Sequence, residues 1–106
     1  MGSAETTVRN QVRDFMRLNG WFVFHVLQGL GAYLGVSDLI AIKDGRLIFV
    51  ELKAPEGVDK RGRKKKAGRQ SENQVKFEFD VESHGGEYFV VRSVEDIAEI
   101  IGVKIR

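Results

Sequence analysis

Apolar residues recur along the chain at two different spacings, and these spacings predict seven helices and strands. Val8, Val12 and Phe15 follow the helical repeat. The residues from Trp21 onward are aromatic and β-branched, which favours a strand, and we expect Trp21 and Phe22 to lie in the core. The order α-β-β-β-α-β-α is typical of the α/β class, with a mixed central β-sheet flanked by helices. The predicted elements are a helix over 5–19, strands over 21–27, 39–43 and 46–53, a helix over 72–83, a strand over 87–92 and a short helix after Ser93.

The dipeptide Asp44-Gly45 stands between two apolar runs and predicts a two-residue hairpin turn. This turn fixes the pairing of the two strands, and the pairing puts Asp38 directly opposite Glu51 at the far end of the hairpin. Lys53 lies two residues beyond Glu51 and therefore projects from the same face. Both faces of the hairpin are apolar in the middle, so we expect it to be central and covered on both sides.

Two opposed carboxylates at a strand end repel each other, and this repulsion suggests a function. A divalent cation would remove the repulsion, because carboxylate oxygens are hard ligands that suit Mg²⁺ or Mn²⁺. The alternative is that the strand ends separate and water solvates both carboxylates. Lys53 next to such a site would stabilise charge on a phosphate or hold a water molecule, whereas a lone lysine at a strand end would only extend into solvent.

Composition limits the remaining possibilities. The chain has 106 residues, a mass of 12.0 kDa and 42% hydrophobic residues, as expected for one small domain with a core. It contains no cysteine, which excludes disulfides and thiolate chemistry, and His25 and His84 stand too far apart to suggest zinc. His25 is interpreted as a structural histidine. No apolar run is long enough to span a bilayer, so we expect a cytoplasmic protein without a membrane partner. The start Met1-Gly2-Ser3 is typical of an expression clone.

The basic residues are concentrated in one segment. The net charge is only +2, yet seven of the 17 basic residues lie between Asp59 and Gln70, which leaves 10 basic and 14 acidic residues elsewhere. We expect a flexible basic loop over 56–70 that contacts phosphates, and the alternative is a solvated loop without a partner. The residues of this loop that we expect to bind phosphates, those of DNA if the chain is a nuclease, are Lys60, Arg61, Arg63, Lys64, Lys65, Lys66 and Arg69.

The residues that follow the basic segment predict the start of a helix. Ser71 and Gln74 form a capping-box pattern. Helix N-termini attract anions, so Ser71 is a further candidate for binding DNA phosphates.

Three segments together resemble a known family. They are Gly35-Val36-Ser37-Asp38, Glu51-Leu52-Lys53 and the stretch from Ser71 to Gln74. Their pattern resembles the PD-(D/E)xK nuclease superfamily, and most of all its VRR-NUC (virus-type replication–repair nuclease) branch. The resemblance extends from Glu5 to about Ile101, and Ser37 stands where the superfamily has proline. It implies a restriction-endonuclease-like core for the single domain over residues 1–106.

The resemblance also implies roles for individual residues. Asp38, Glu51 and the backbone carbonyl of Leu52 would bind Mg²⁺ or Mn²⁺, and Lys53 would be the catalytic lysine.

Two further residues have an implied role and an ordinary alternative. Gln74 would position water or substrate, or would only close the capping box. Glu5 matches an acidic residue that many members place near the metal, or is an ordinary acid at the start of a helix.

The function implied by the resemblance is that of a Mg²⁺- or Mn²⁺-dependent endodeoxyribonuclease in DNA repair. Small members resemble Holliday-junction resolvases, so we expect a homodimer that cuts branched DNA, four-way junctions above all, in the cytoplasm of a bacterial or phage-infected cell. One alternative is a flap- or end-processing subunit of a replication or repair machine. Another is an inactive DNA-binding module. A purely structural protein would leave the carboxylate pair unexplained.

Overall fold

The elements of the computed structural model follow the predicted order. The structure describes residues 4–27, 31–54, 57–58, 64–65 and 70–105. The α/β class is confirmed, and two short strands are added within the basic segment. The elements are α1 (Ala4–Leu18), β1 (Phe22–His25), β2 (Leu39–Lys43), β3 (Arg46–Leu52), β4 (Gly57–Val58), β5 (Lys64–Lys65), α2 (Glu72–Ser83), β6 (Glu87–Val91) and α3 (Val94–Ile101).

Four strands form the main sheet in the order β1-β2-β3-β6. The first three are antiparallel, whereas β3 and β6 are parallel, so the sheet is mixed as predicted. The β2–β3 hairpin has the predicted register, with Lys43 paired to Arg46 and Leu39 paired to Val50. Asp44 and Gly45 both have positive φ, 51° and 82°, which is the requirement of a type I′ turn.

One face of the sheet carries the hydrophobic core. Helices α1 and α3 pack against this face and against each other. Strand alternation directs every second residue of β2 and β3 into this layer, where most are fully buried. The buried members are Val12 and Met16 of α1, Trp21, Val23 of β1, Leu39 and Ala41 of β2, Ile48, Val50 and Leu52 of β3, Val91 of β6 and Ile97 of α3.

The opposite face is covered over only part of its width. Helix α2 lies over β3 and β6, where Phe77 packs its ring at 5.3 Å from Phe49 and at 6.0 Å from Tyr88. On the other half of this face, Phe22 is 65% exposed and Phe24 is 39% exposed. Leu47 of the hairpin itself is 40% exposed on the same face. The expectation that the hairpin is covered on both sides is therefore wrong for the part of this face that α2 does not cover.

The two neighbouring aromatic residues at the start of β1 have different environments. Trp21 is 8% exposed and belongs to the core, as predicted. The same prediction is wrong for Phe22. This residue lies on an edge strand and pairs with Ile42, on the part of the face that α2 does not cover. The periodicity of β1 indicates that its two faces differ, but it does not indicate which face a helix will cover.

The predicted basic loop contains a small antiparallel ladder, in which Gly57 pairs with Lys65 and Val58 pairs with Lys64. The side chains of these lysines lie outside the described part of the structure, as do Lys60, Arg61, Arg63, Lys66 and Arg69. The DNA-binding role of this segment therefore stays a prediction. No helix among the described residues is both long and apolar enough to cross a membrane.

Candidate active site

Asp38 is held at the end of a tightly packed loop, immediately before β2. Gly35 has a φ of +81°, and a Cβ atom at this position would overlap the main-chain carbonyl of Asn73. The loop can thus rest directly on the start of α2 only because residue 35 is glycine. On the sheet side, the main-chain carbonyl of Asp38 accepts a hydrogen bond from the amide of Val26 at 2.8 Å. Its carboxylate oxygen Oδ2 accepts one from the amide of Leu52, also at 2.8 Å.

Ser37 immediately precedes Asp38 in the chain. The side chain is fully buried, and its hydroxyl donates to the carbonyl of Leu39 at 3.0 Å. This local hydrogen bond closes a short turn over Asp38. A hydroxyl that bonds to the main chain thus restrains the backbone next to Asp38.

Glu51 lies on β3 on the same face as Phe49, beneath the start of α2, and is only 1% exposed. Its Oε2 accepts a hydrogen bond from Gln74 Nε2 at 2.8 Å and lies 3.6 Å from Lys53 Nζ. Its other oxygen, Oε1, is buried without a hydrogen-bond partner among the described residues. Burial, and after it the neighbouring Asp38 carboxylate, raise the pKa of Glu51 to about 8 against the opposing effect of Lys53.

Gln74 forms the capping box and also contacts Glu51, whereas its expected role in positioning water or substrate stays a prediction. Its side-chain oxygen accepts a hydrogen bond from the main-chain amide of Ser71 at 2.8 Å, and its main-chain amide donates one to the Ser71 hydroxyl at 3.2 Å. These two hydrogen bonds form the predicted capping box at the start of α2. The side-chain nitrogen of the same residue binds Glu51. One amide group therefore both begins the helix and fixes the carboxylate.

The donor set at this end of the sheet suits a hard divalent cation. A buried carboxylate oxygen without a partner, next to a second carboxylate, is a destabilising arrangement that a cation would relieve. Asp38 and Glu51 would hold the ion. In the described part of the chain no third Asp, Glu, His or Cys side chain joins them. Mg²⁺ fits such a sparse set, because it usually keeps several of its waters and needs only one or two carboxylates.

The structure does not test the two further expected metal ligands, Leu52 and Glu5. The amide of Leu52 contacts the site through Asp38, and the ligand role of its carbonyl stays a prediction. Glu5 belongs to α1, but its side chain lies outside the described residues.

Sequence reasoning missed a polar group beneath α2. Tyr88 of β6 is almost fully buried, and its hydroxyl accepts from Gln70 Nε2 at 3.2 Å. Gln70 also donates to Glu78 of α2 at 3.1 Å. Burial raises the pKa of Tyr88, Gln70 lowers it, and the charge of Glu51 raises it again, which places the phenol in the electrostatic environment of the site. The signal that would reveal it is the parallel pairing of Tyr88 with Phe49, which no turn motif specifies.

The structure is an α/β domain that carries two carboxylates and a lysine at the end of its central hairpin. A solved structure described as a VRR_NUC domain superposes on it with a TM-score of 0.72. The match covers 95% of this chain and 97% of that chain at 20% sequence identity. The resemblance predicted from the motifs is thereby confirmed for the fold. No protein-family model matches the sequence, and no curated protein matches it.

Proposed function

We propose that this domain is a metal-dependent endonuclease that hydrolyses phosphodiester bonds in DNA. The observation that carries the proposal is the buried, unpartnered oxygen of Glu51 beside Asp38, with Lys53 adjacent. A purely structural domain gains nothing from this arrangement, because burying a carboxyl group with one oxygen unsatisfied, beside a second carboxylate, destabilises the fold. The shared fold with a VRR_NUC domain supports the same activity.

Each residue of the site would have a separate role in hydrolysis. When bound, Mg²⁺ or Mn²⁺ supplies positive charge to the scissile phosphate and makes water more acidic. Asp38 and Glu51 hold the ion, with the Leu52 carbonyl as a third ligand. Gln74 keeps the Glu51 carboxylate oriented, and Lys53 lies where it can donate to a phosphate oxygen or hold the attacking water.

Branched DNA is the proposed substrate, and a homodimer is the proposed assembly. One domain supplies one active site and cuts one strand, so symmetric cleavage of a four-way junction needs two copies related by a twofold axis. The exposed apolar half of the sheet supports self-association. There Phe22 and Phe24 pack at 5.5 Å on the open face and Leu47 is partly exposed. The basic segment and the start of α2 would contact phosphates without reading bases.

Cleavage of end-labelled DNA tests the proposal directly. Four-way, flap and linear duplex substrates are incubated with Mg²⁺ or Mn²⁺, and with EDTA as the metal-free control. Lys53→Met should abolish cleavage, whereas Lys104→Met, which removes an exposed lysine from the C-terminal segment outside the helices and strands, should not. Junction-selective cutting that is lost in EDTA supports the resolvase activity, and preferential cutting of flaps supports the end-processing alternative. Tight binding without cutting in either metal would contradict the nuclease and favour an inactive binding module.

A further inference from the structure

Helix α1 carries an arginine row that lies outside the carboxylate site. The row consists of Arg9, Arg13 and Arg17, which are spaced four residues apart and therefore project from one side of the helix. Like charges at this spacing repel each other and weaken the helix, so helix stability does not explain the pattern. A row of three positive charges suits a partner that carries regularly spaced negative charges.

The arginine row lies along the free edge of the main sheet. Arg17 Nη2 donates to the main-chain carbonyl of Val23 at 3.0 Å, and Arg13 Nη1 lies 3.1 Å from His25 Nε2. Because an arginine nitrogen can only donate, His25 Nε2 accepts this hydrogen bond and the imidazole is neutral. Burial lowers the pKa of His25, and the charges of Arg13, Arg9 and Arg17 lower it further, so all three guanidinium groups act on one imidazole.

The row runs toward the candidate active site. His25 pairs with Leu39, and the next residue, Val26, bonds to Asp38, so this end of β1 is the end nearest the carboxylates. Going from Arg17 to Arg13 moves toward that end, and Arg9 lies one further turn along. Each step of four residues advances about 6 Å along the helix. This distance is comparable to the separation of successive phosphates along one DNA strand.

Among the described residues, the charges of the row are only partly balanced by acidic side chains. Arg13 bonds to its exposed neighbour Asp14 at 2.9 Å and to Asn10 at 3.3 Å. Arg9 Nε is buried without a hydrogen-bond partner among the residues that the structure describes. Asp38 also acts on His25, but a bound cation would neutralise that carboxylate. Within the described residues, the row therefore stays net positive as it approaches the site.

We propose that the arginine row binds the phosphate backbone of the DNA strand that enters the active site, with Arg9 nearest to the scissile bond. The row is a second DNA contact, separate from the basic segment over 56–70 and carried on a rigid helix. This inference rests on the proposed function, because it requires DNA to be the substrate. The contacts are to phosphates, so they position the strand and do not select its sequence.

The salt dependence of DNA binding tests the row. Binding of the full-length protein to a fluorescein-labelled four-way junction and to linear duplex is measured by anisotropy in EDTA, across a range of salt concentrations. Each phosphate contact to duplex DNA contributes about 0.9 to the slope of log K against log salt. Arg9→Gln and Arg13→Gln should each reduce the slope by about 0.9 and weaken binding about eightfold at 0.1 M salt, equally for both DNAs.

Three matched variants separate charge from structure. Arg9→Lys and Arg13→Lys lose the same guanidinium contacts but keep the charge, and their slopes should stay near that of the wild type. Arg46→Gln removes a surface arginine that pairs with Glu87 at 2.8 Å, at the opposite end of the hairpin from Asp38. Its slope should be unchanged. Circular dichroism of each variant without DNA reports its folding, and Arg9→Gln carries the test if Arg13→Gln is unstable.

The outcomes distinguish this inference from the function on which it rests. If the wild type cuts DNA but both glutamine variants keep the wild-type slope, the arginine row is refuted and the nuclease stands. If the lysine variants lose as much of the slope as the glutamine variants, the arginines act through structure and the row is refuted as well. If the wild type neither binds nor cuts DNA, both proposals fail.

Discussion

The buried carboxylate of Glu51 makes the metal-free protein less stable as the pH rises, and this effect can be measured. Its pKa is raised from the usual 4.5 to about 8. Between these values the folded state holds a proton that the unfolded state has released, so the free energy of unfolding falls with rising pH. Each pKa unit corresponds to about 1.4 kcal/mol, and the full shift corresponds to about 5 kcal/mol. Glu51→Gln removes the titration but keeps an oxygen that can accept from Gln74.

Urea unfolding of wild type and Glu51→Gln in EDTA, at intervals from pH 5 to pH 9, measures this difference. The stability of the variant relative to wild type should grow from about 1 kcal/mol at pH 5 to about 4 kcal/mol at pH 8 and then level off. With an m-value of about 1–2 kcal/mol/M, the midpoint at pH 8 should move by about 2–4 M urea. Groups common to both proteins cancel in the comparison. A difference that does not change with pH would refute the reasoning from burial.

The same pair of proteins tests the cation. Added Mn²⁺ should stabilise the wild type at pH 8 in proportion to the logarithm of its concentration, because it binds only the folded carboxylate pair. It should leave Glu51→Gln unchanged and nearly inactive in cleavage. Equal stabilisation of both proteins by Mn²⁺ would place the ion elsewhere.

Three further perturbations follow from contacts of the site. Gln74→Ala should lower both the stability, by about 1 kcal/mol, and the Mn²⁺ affinity measured by calorimetry, whereas Ser71→Ala should lower only the stability; equal Mn²⁺ affinities would contradict the positioning role. Gly35→Ala should unfold at a clearly lower urea concentration than Gly31→Ala, because both glycines have positive φ but only the first has a main-chain carbonyl in the way; equal midpoints would contradict the close packing. Light scattering should give a mass of about twice 12.0 kDa, and Phe24→Glu should halve it; a monomeric wild type would contradict the homodimer.

The geometry of the hairpin was predictable because a local signal specifies it. Asp44-Gly45 permits positive φ at two successive residues, and that turn admits only one register between the flanking strands. The register then brings Asp38 and Glu51 together although 12 residues separate them. In the same way, four consecutive residues from Ser71 to Gln74 specify the capping box, which is present in the structure. Features of this kind depend on short-range geometry, which a single sequence contains.

Features that depend on the relative placement of distant elements were not predictable in this way. The sequence of α2 does not indicate that it covers β3 and β6 only, and this placement leaves Phe22 exposed. No turn motif predicts the parallel pairing of β6 with β3. The sequence therefore predicts a strand at Tyr88 but does not predict that this strand lies next to the site. The arginine row is visible as a spacing, but its meaning depends on His25 and on the direction of α1 relative to Asp38.

The start of α2 is held in part by contacts to residues of the candidate site. None of the residues of this helix is fully buried, although Phe77 packs against the sheet. Its start is fixed by two contacts that belong to the site: the close approach of Gly35 to Asn73 and the hydrogen bond from Gln74 to Glu51. Elements with little buried surface open most easily, so these contacts contribute much of the stability of the first turn of α2. A cation that fixes the Glu51 carboxylate would therefore also fix the start of α2, where the phosphates of the substrate are expected to bind.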